Sequence, residues 1–400
     1  MKLIRDERGQ TMIVTALCIA SLCGAAGFAV DVGKLFQTKR TLQTAADAAA
    51  IAGANEMRYG DWSAAAKQAA ADNGYTDGVG GVSISVHNPP SSGSHSSGVE
   101  VVITDPAPTY FMKVFHLTSM NVSARAVAGL VAASGCIYTL DTSGTDIGLT
   151  GTADLNMPNC GILVDSAASN AIRMTGSSGI TAQSIGIVGG YSASGSAGMT
   201  PAPVSGIAPA PDPLAYLSTP SFTSSACLPD PHKTGTGAVT LGPSISGGTV
   251  CYNGLSVSGS GSVTLSPGLY IINGGFSMTG SGTISGTGVT FFLAAPNGSA
   301  SLSGSGSMNL SAPTTGTYSG ILFFEDPDDS NAMTITGSTG SNLQGVFYAP
   351  SAALTMSGTS GANIYADLVV SSLSMTGTSN FQNYATVNPD APLKSAALTE

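Results

Sequence analysis

The side chains best placed to do chemistry are four acids in five residues: Glu325, Asp326, Asp328 and Asp329, interrupted by Pro327. Carboxylates this close could hold Ca²⁺ through oxygen ligands, or supply the acid and base of a glycan-cleaving site. Four acids do not fit a packed strand, so a solvated loop after Phe324 is expected, with Ca²⁺ as the only metal candidate. A lyase-type site also needs basic partners, and residues 132–393 hold just Arg173 and Lys233. No nucleophile stands beside a His and an acid, and His95 and His116 read as loop or core residues. Glycine pairs such as Gly280-Ser281-Gly282 do not open a helix, so they make no phosphate loop. The expectation is no enzyme, no catalytic residue and no cofactor.

Six cysteines fall into two groups. Cys18 and Cys23 sit in an apolar run and are expected to be reduced. Cys136, Cys160, Cys227 and Cys251 lie in the body of the chain, where four thiols suggest two disulfides of an oxidising compartment. Three connectivities exist; the equal spacings of 24 residues favour Cys136–Cys160 and Cys227–Cys251. With no CxxC pair and no nearby His pair, a zinc site is disfavoured.

Charge is sparse and uneven. Charged residues are 9% of the chain, and the net charge is −10. Residues 1–131 hold ten basic and ten acidic side chains; the rest hold three basic and thirteen acidic. So acidic a region cannot neutralise phosphates, which argues against nucleic acid as a partner. With 42% hydrophobic residues, the low charge does not mean disorder.

These features must be carried by three kinds of element. Residues 11–30 contain no charge and, as a helix, are long enough to cross a bilayer. Lys2, Arg5 and Arg8 precede the run. Behind it an Ala-rich stretch continues the helical pattern, with Leu35, Leu42 and Ala49 seven apart and Ala46 beside them. That narrow face suits either its own domain or a partner helix. A short helix over residues 61–73, a strand over 82–86, a loop over 88–98, a strand over 99–104 broken by Pro106 and Pro108, a short apolar helix over 110–116 and a strand over 120–131 make a small α+β unit.

From Cys136 the text changes to a recurring apolar–Ser/Thr–Gly–Ser/Thr motif. It begins at Leu149, Met174, Val257, Met278, Leu302, Ile335, Met356 and Met375, mostly about 19 to 33 residues apart. Short apolar strands lie between the copies. A period of this length with Gly corners and no helices predicts a right-handed parallel β-helix, a solenoid whose coils bury one shared core. A β-sandwich is the rival, but Asn-Gly hairpin turns are scarce. A Pro-rich excursion over 200–232 is either a hinge between two solenoid pieces or a segment packed along the coils. After Phe381 the repeat stops, and the remainder is expected to cap the last coil.

The start of the chain resembles the Tad (tight adherence) pilus-assembly proteins, in particular their TadG-like branch. The residues that carry the resemblance are Arg8-Gly9, Asp31-Val32-Gly33, Arg40, Leu42-Gln43, the run from Ala45 to Ala50 around Asp47, and Ala52-Gly53-Ala54. The resemblance implies a single-pass inner-membrane anchor, an extracytoplasmic body, other Tad/Flp pilus components as partners, and no enzymatic activity. The acid that pilin-like members carry early in the apolar run is absent, so a retained anchor is expected; a cleaved secretory signal is the alternative.

The resulting expectation is an anchor over 1–57 with its transmembrane helix at 11–30, an α+β unit over 58–132, a β-helix over 133–385 and a tail over 386–400. Its role would be a structural one in pilus assembly or surface attachment. The alternatives are an adhesin or carbohydrate-binding solenoid that meets a surface glycan, and a glycan-active enzyme.

Overall fold

A computed structural model describes residues 7–91, 97–132, 135–336, 341–358, 363–377, 380–382, 384 and 392–399. Two compact units result: Met1–Val131 with Ser395–Glu400, and Ala132–Lys394.

The first unit is built on helix α1 (Glu7–Asn55), which is 49 residues long and has no proline to break it. Its two halves face different surroundings. Residues 11–26 are exposed throughout, whereas Leu42, Ala45, Ala46, Ala49, Ala50 and Ala54 are completely buried. The buried half packs on helix α2 (Trp62–Asp72) and on an antiparallel sheet of β1 (Ser83–His87), β2 (Val99–Pro108) and β3 (Ser119–Ala132). Val99, Val101 and Ile103 alternate toward the helices, as a half-covered strand requires. The Ala face therefore meets the chain's own sheet.

Two expectations change here. β2 runs through Pro106 and Pro108, pairing with β3 as far as Pro108↔Ser119. β1 pairs only as far as Thr104, so the missing N–H groups of both prolines fall where no third strand competes for them. The stretch expected to cap the coils divides: Tyr384 and Leu393 pack on the solenoid, residues 385–391 lie outside the described residues, and the last strand goes elsewhere. Lys394–Leu398 forms the fourth strand of this same sheet, beside β3, and the Thr399 N–H donates to the Val127 carbonyl at 2.8 Å. The second unit is thus an insertion between β3 and the last strand of the first.

The second unit is a parallel β-solenoid of about 10 turns. A typical turn holds three strands, Thr283–Thr287, Val289–Leu293 and Ala300–Leu302, stacked on their equivalents one turn away. Pairing is in register, so like sits on like. Val263 meets Ile284, which meets Met308, and Tyr270 meets Phe291, which meets Phe323. Aromatic rings continue through the core: Phe276–Phe291 at 5.0 Å, Phe291–Phe323 at 5.3 Å and Phe323–Phe347 at 5.1 Å between centroids. Outside, hydroxyls bond rung to rung, as Thr175 Oγ1 does to Thr150 Oγ1 at 3.3 Å.

The recurring glycine has a steric cause. Gly151, Gly176 and Gly195 stack in register at φ 81°, 87° and 81°, a left-handed corner that other residues rarely adopt. A Cβ on Gly176 would lie 2.7 Å from the Gly151 carbonyl oxygen. The small residue is needed both to turn the corner and to let the next turn stack.

The order of the turns differs from the order of the chain. The first solenoid strand, Gly135–Thr139, pairs with Asn363–Thr376, one of the last, through Leu368↔Ile137 and Val370↔Thr139. The chain therefore enters in the middle of the stack. It winds to one end at Val204–Ser205, then reappears at the opposite end at Leu228–Pro229 and winds back to the start. The Pro-rich segment makes the return. It is a strap along the outside of the coils, the second of the two expected alternatives.

Candidate functional site

The acid cluster is the first place to look for chemistry, and its members do not converge. Glu325 is the last residue of the strand Ile321–Glu325, not part of a loop, and is completely buried. Among the described residues neither of its carboxylate oxygens has a hydrogen-bond partner. Burial, with the neighbouring Asp329, pushes its pKa up to about 9, so it is a neutral acid at neutral pH. A neutral side chain is how one of the four acids fits a packed strand; the turn begins one residue later than expected, at Asp326.

Asp329 is also buried, but its oxygens are used locally. Oδ2 accepts the Gly298 N–H at 2.6 Å, and Oδ1 accepts the Asn331 N–H at 3.0 Å. The Asp328 N–H donates to Asp326 Oδ1 at 3.1 Å, and Asp328 itself is exposed. Among the described residues no three or more His, Cys, Asp or Glu side chains are grouped to hold a metal ion. The turn is organised around backbone donors, the usual use of Asp at a bend.

Asp165, buried, and Asp212, half-buried, tie the solenoid together. Asp165 Oδ1 accepts the Ala210 N–H at 2.9 Å, and Asp212 Oδ2 accepts the Tyr348 hydroxyl at 2.8 Å. Both belong to the strap's attachment, together with Tyr318, whose hydroxyl donates to the Ser218 carbonyl at 2.9 Å. Burial raises the pKa of Asp165 and of Asp212. Leu214 and Leu217 of the strap join a cluster with Tyr138, Ile271, Phe292, Phe324, Val346 and Tyr348. Those strand residues point outward, and without the strap they would face water. This explains why Val289–Leu293 and Ile321–Glu325 are buried on both faces.

Replacing Tyr348 with Phe removes the hydroxyl that meets Asp212. The expected cost is about 1 kcal/mol of solenoid stability, with faster protease cleavage between residues 206 and 227. Unchanged cleavage would show that this hydrogen bond does not hold the strap.

Disulfides join Cys136 to Cys160 and Cys227 to Cys251, with Cα atoms 5.8 and 4.7 Å apart. Each links neighbouring turns, and the second fastens the end of the strap to the strand Thr249–Asn253. A separation of 24 residues is about one turn, which is why the two spacings agree. Cys18 and Cys23 are free and exposed on α1.

The remaining candidates stay apart. Arg173 lies on the strand Ile172–Gly176, whereas Lys233 pairs with Val257 near the other end of the stack. His116 caps a short helix at φ 64° and is exposed; His95 lies outside the described residues. An open groove of about 550 Å³ is lined by residues such as Thr249, Pro267, Thr290, Pro313 and Tyr318, with no acid, His, Lys or Arg.

The anchor end has a geometry of its own. Asp31 follows the apolar run directly and is 1% exposed. Its carboxylate accepts the backbone N–H groups of Tyr110, Phe111 and Met112 at 2.8, 2.9 and 2.6 Å. A turn 80 residues away is thereby pinned to the point where the apolar half of α1 meets the Ala-rich half. The sequence signal is a lone Asp at the end of an apolar run, and nothing in its spacing names a partner.

Residues 9–56 match the Tad family model, Flp pilus-assembly TadE/G-like. The match ends at the short 3-10 turn Glu56–Arg58, so the Tad segment is the long helix itself. No curated protein and no solved structure matches the chain. In this Tad segment the run from Thr11 is apolar enough to cross a membrane, and the Ala face behind it is the part held by the folded unit.

Proposed function

We propose that this protein is a membrane-anchored structural component of Tad/Flp-type pilus assembly or surface attachment, with the solenoid as an extracytoplasmic scaffold. The observation that carries the reading is the Tad match over residues 9–56, lying on a helix whose first half is apolar and exposed. Two disulfides in the solenoid support a body outside the reducing cytoplasm, periplasmic or on the surface. The scattered acids and the distant Arg173 and Lys233 support a non-enzymatic role.

In this reading α1 fixes the protein in the inner membrane. The solenoid offers a long, low-charge face to other pilus-assembly proteins. The groove at Thr249 and Tyr318 favours one second reading, a site for an uncharged surface glycan.

The test is an in-frame deletion, complemented by the full chain. Loss of pili and of surface attachment, restored on complementation, is expected. Normal piliation and attachment in the deletion strain would overturn the proposal. Glycan binding by the purified protein with normal pili in the deletion would instead favour the second reading.

A further inference from the structure

Five large apolar side chains crowd one short turn of the first unit. Tyr110, Phe111, Val114, Phe115 and Leu117 are 56, 51, 78, 77 and 50% exposed. On a water-facing surface a patch of this kind needs a partner. The contacts of the turn say where that partner lies. Phe111 packs on Gly27 of α1 so closely that a Cβ there would sit 2.7 Å from its ring. Phe111, Val114 and Phe115 share a small cleft with Cys23, Gly24, Gly27 and Phe28. All four of those helix residues belong to the apolar run at 11–30, Cys23 being seven residues, or about 10 Å, before its end.

From these contacts we infer that the turn at 110–117 is a second membrane contact, seated among the acyl chains of the leaflet where α1 leaves the bilayer. The inference rests on the proposed membrane anchor. If residues 11–30 cross the bilayer, side chains packed beside residues 23–28 share its depth.

The backbone is prepared for that environment, where an unpaired N–H is costly. The N–H groups of Tyr110, Phe111 and Met112 are taken by Asp31. Those of Val114, His116 and Leu117 bond to carbonyls of Phe111, Lys113 and Met112. The Thr109 hydroxyl closes the turn by donating to the Leu117 carbonyl. Lys113 keeps its ammonium 5.9 Å from the centre of the Tyr110 ring, an arrangement that lets a long cationic side chain reach toward headgroups. Asp31 thus both ends the span and aims a second element into the same leaflet.

The experiment uses the full chain with Cys18→Ala and Cys23→Ala, its two disulfides intact. A single cysteine is introduced by Phe115→Cys and labelled with an environment-sensitive fluorophore. The protein is then placed in phosphatidylcholine–phosphatidylglycerol vesicles whose acyl chains carry quenchers at shallow or deep positions. Ile19→Cys reports the middle of the span, and Ile245→Cys, 78% exposed on the solenoid, reports water. The expected result is a blue-shifted signal at position 115, mostly lost to the shallow quencher, with position 245 unaffected. Quenching at 19 but not at 115 would overturn the inference and leave the anchor standing. A blue-shifted but unquenched label at 115 would mean that protein covers the turn, which also overturns it. No quenching at 19 would remove the anchor reading and this inference together.

Discussion

Truncating Phe291 to Ala is expected to destabilise the solenoid by about 3–5 kcal/mol. Phe291 is completely buried and central in the ring ladder, 5.0 Å from Phe276, 5.3 Å from Phe323 and 5.6 Å from Tyr270. Its neighbours are held by strand pairing above and below, so they cannot close over the space left. In a stacked array each turn depends on the ones beside it, and the damage should be strongest there. Denaturant unfolding gives the total loss, and amide exchange locates it. Faster exchange should centre on residues 268–325, with little change near Val204 at the end of the stack. A loss below about 1 kcal/mol would mean that the ring ladder relaxes freely, contrary to the packing described.

The second large effect is one of pH. The Glu325 carboxyl ionises near 4.5 in an unfolded chain and at about 9 in the folded one. Between those values the folded state binds an extra proton. Its stability is then greatest below about pH 4.5 and falls as the pH rises to about 9. At about 1.4 kcal/mol per pH unit the loss from this group is about 3 kcal/mol by pH 7. Asp146 and Asp367, both pushed up to about 7 chiefly by burial, act in the same direction at lower pH. Glu325→Gln keeps the shape and cannot ionise, so its solenoid should lose less stability than the natural chain between pH 5 and 9. Thermal unfolding at several pH values tests this. Parallel curves for the two proteins would show that Glu325 carries no ionisation penalty. The first unit should respond oppositely. Glu100 is held down to about 2, despite burial, by hydrogen bonds from Ser91 and Arg125 and by the Arg125 charge. It contributes stability above its unfolded pKa that is lost as the pH falls toward 2.

The Glu325 case shows where reading residues by type fails. Four acids close together suggested a solvated loop. Strand pairing instead carries Ile321–Glu325 into the core and leaves the last side chain without water. The acid adapts by staying protonated, which its spacing cannot reveal. The contacts of Asp31, Asp165 and Asp212 were no more legible, because Asp31 meets Phe111 80 residues away, Asp165 meets Ala210 45 away, and Asp212, besides the nearby Leu214 N–H, meets Tyr348 136 away.

Local patterns alone determined a good deal. A continuously apolar, uncharged run of twenty residues behind basic ones, as at 11–30, has the length and composition of a membrane-crossing helix. The apolar–Ser/Thr–Gly–Ser/Thr recurrence specifies coils, since the copies bring an inward apolar side chain and, at Gly151, Gly176, Gly280, Gly304, Gly358 and Gly377, a left-handed corner. Two Cys pairs spaced by about one turn fall on neighbouring coils. The tertiary structure decided which coil lies on which. Every coil presents a similar parallel edge, so the text does not say that the chain enters in the middle and that Asn363–Thr376 closes on Gly135–Thr139. Nor does it say that the Pro-rich segment is a strap or that the last strand returns to β3. Those choices depend on burying whole faces, the outward ring row from Phe292 to Tyr348 and the open edge of β3, and such faces exist only once distant strands have paired.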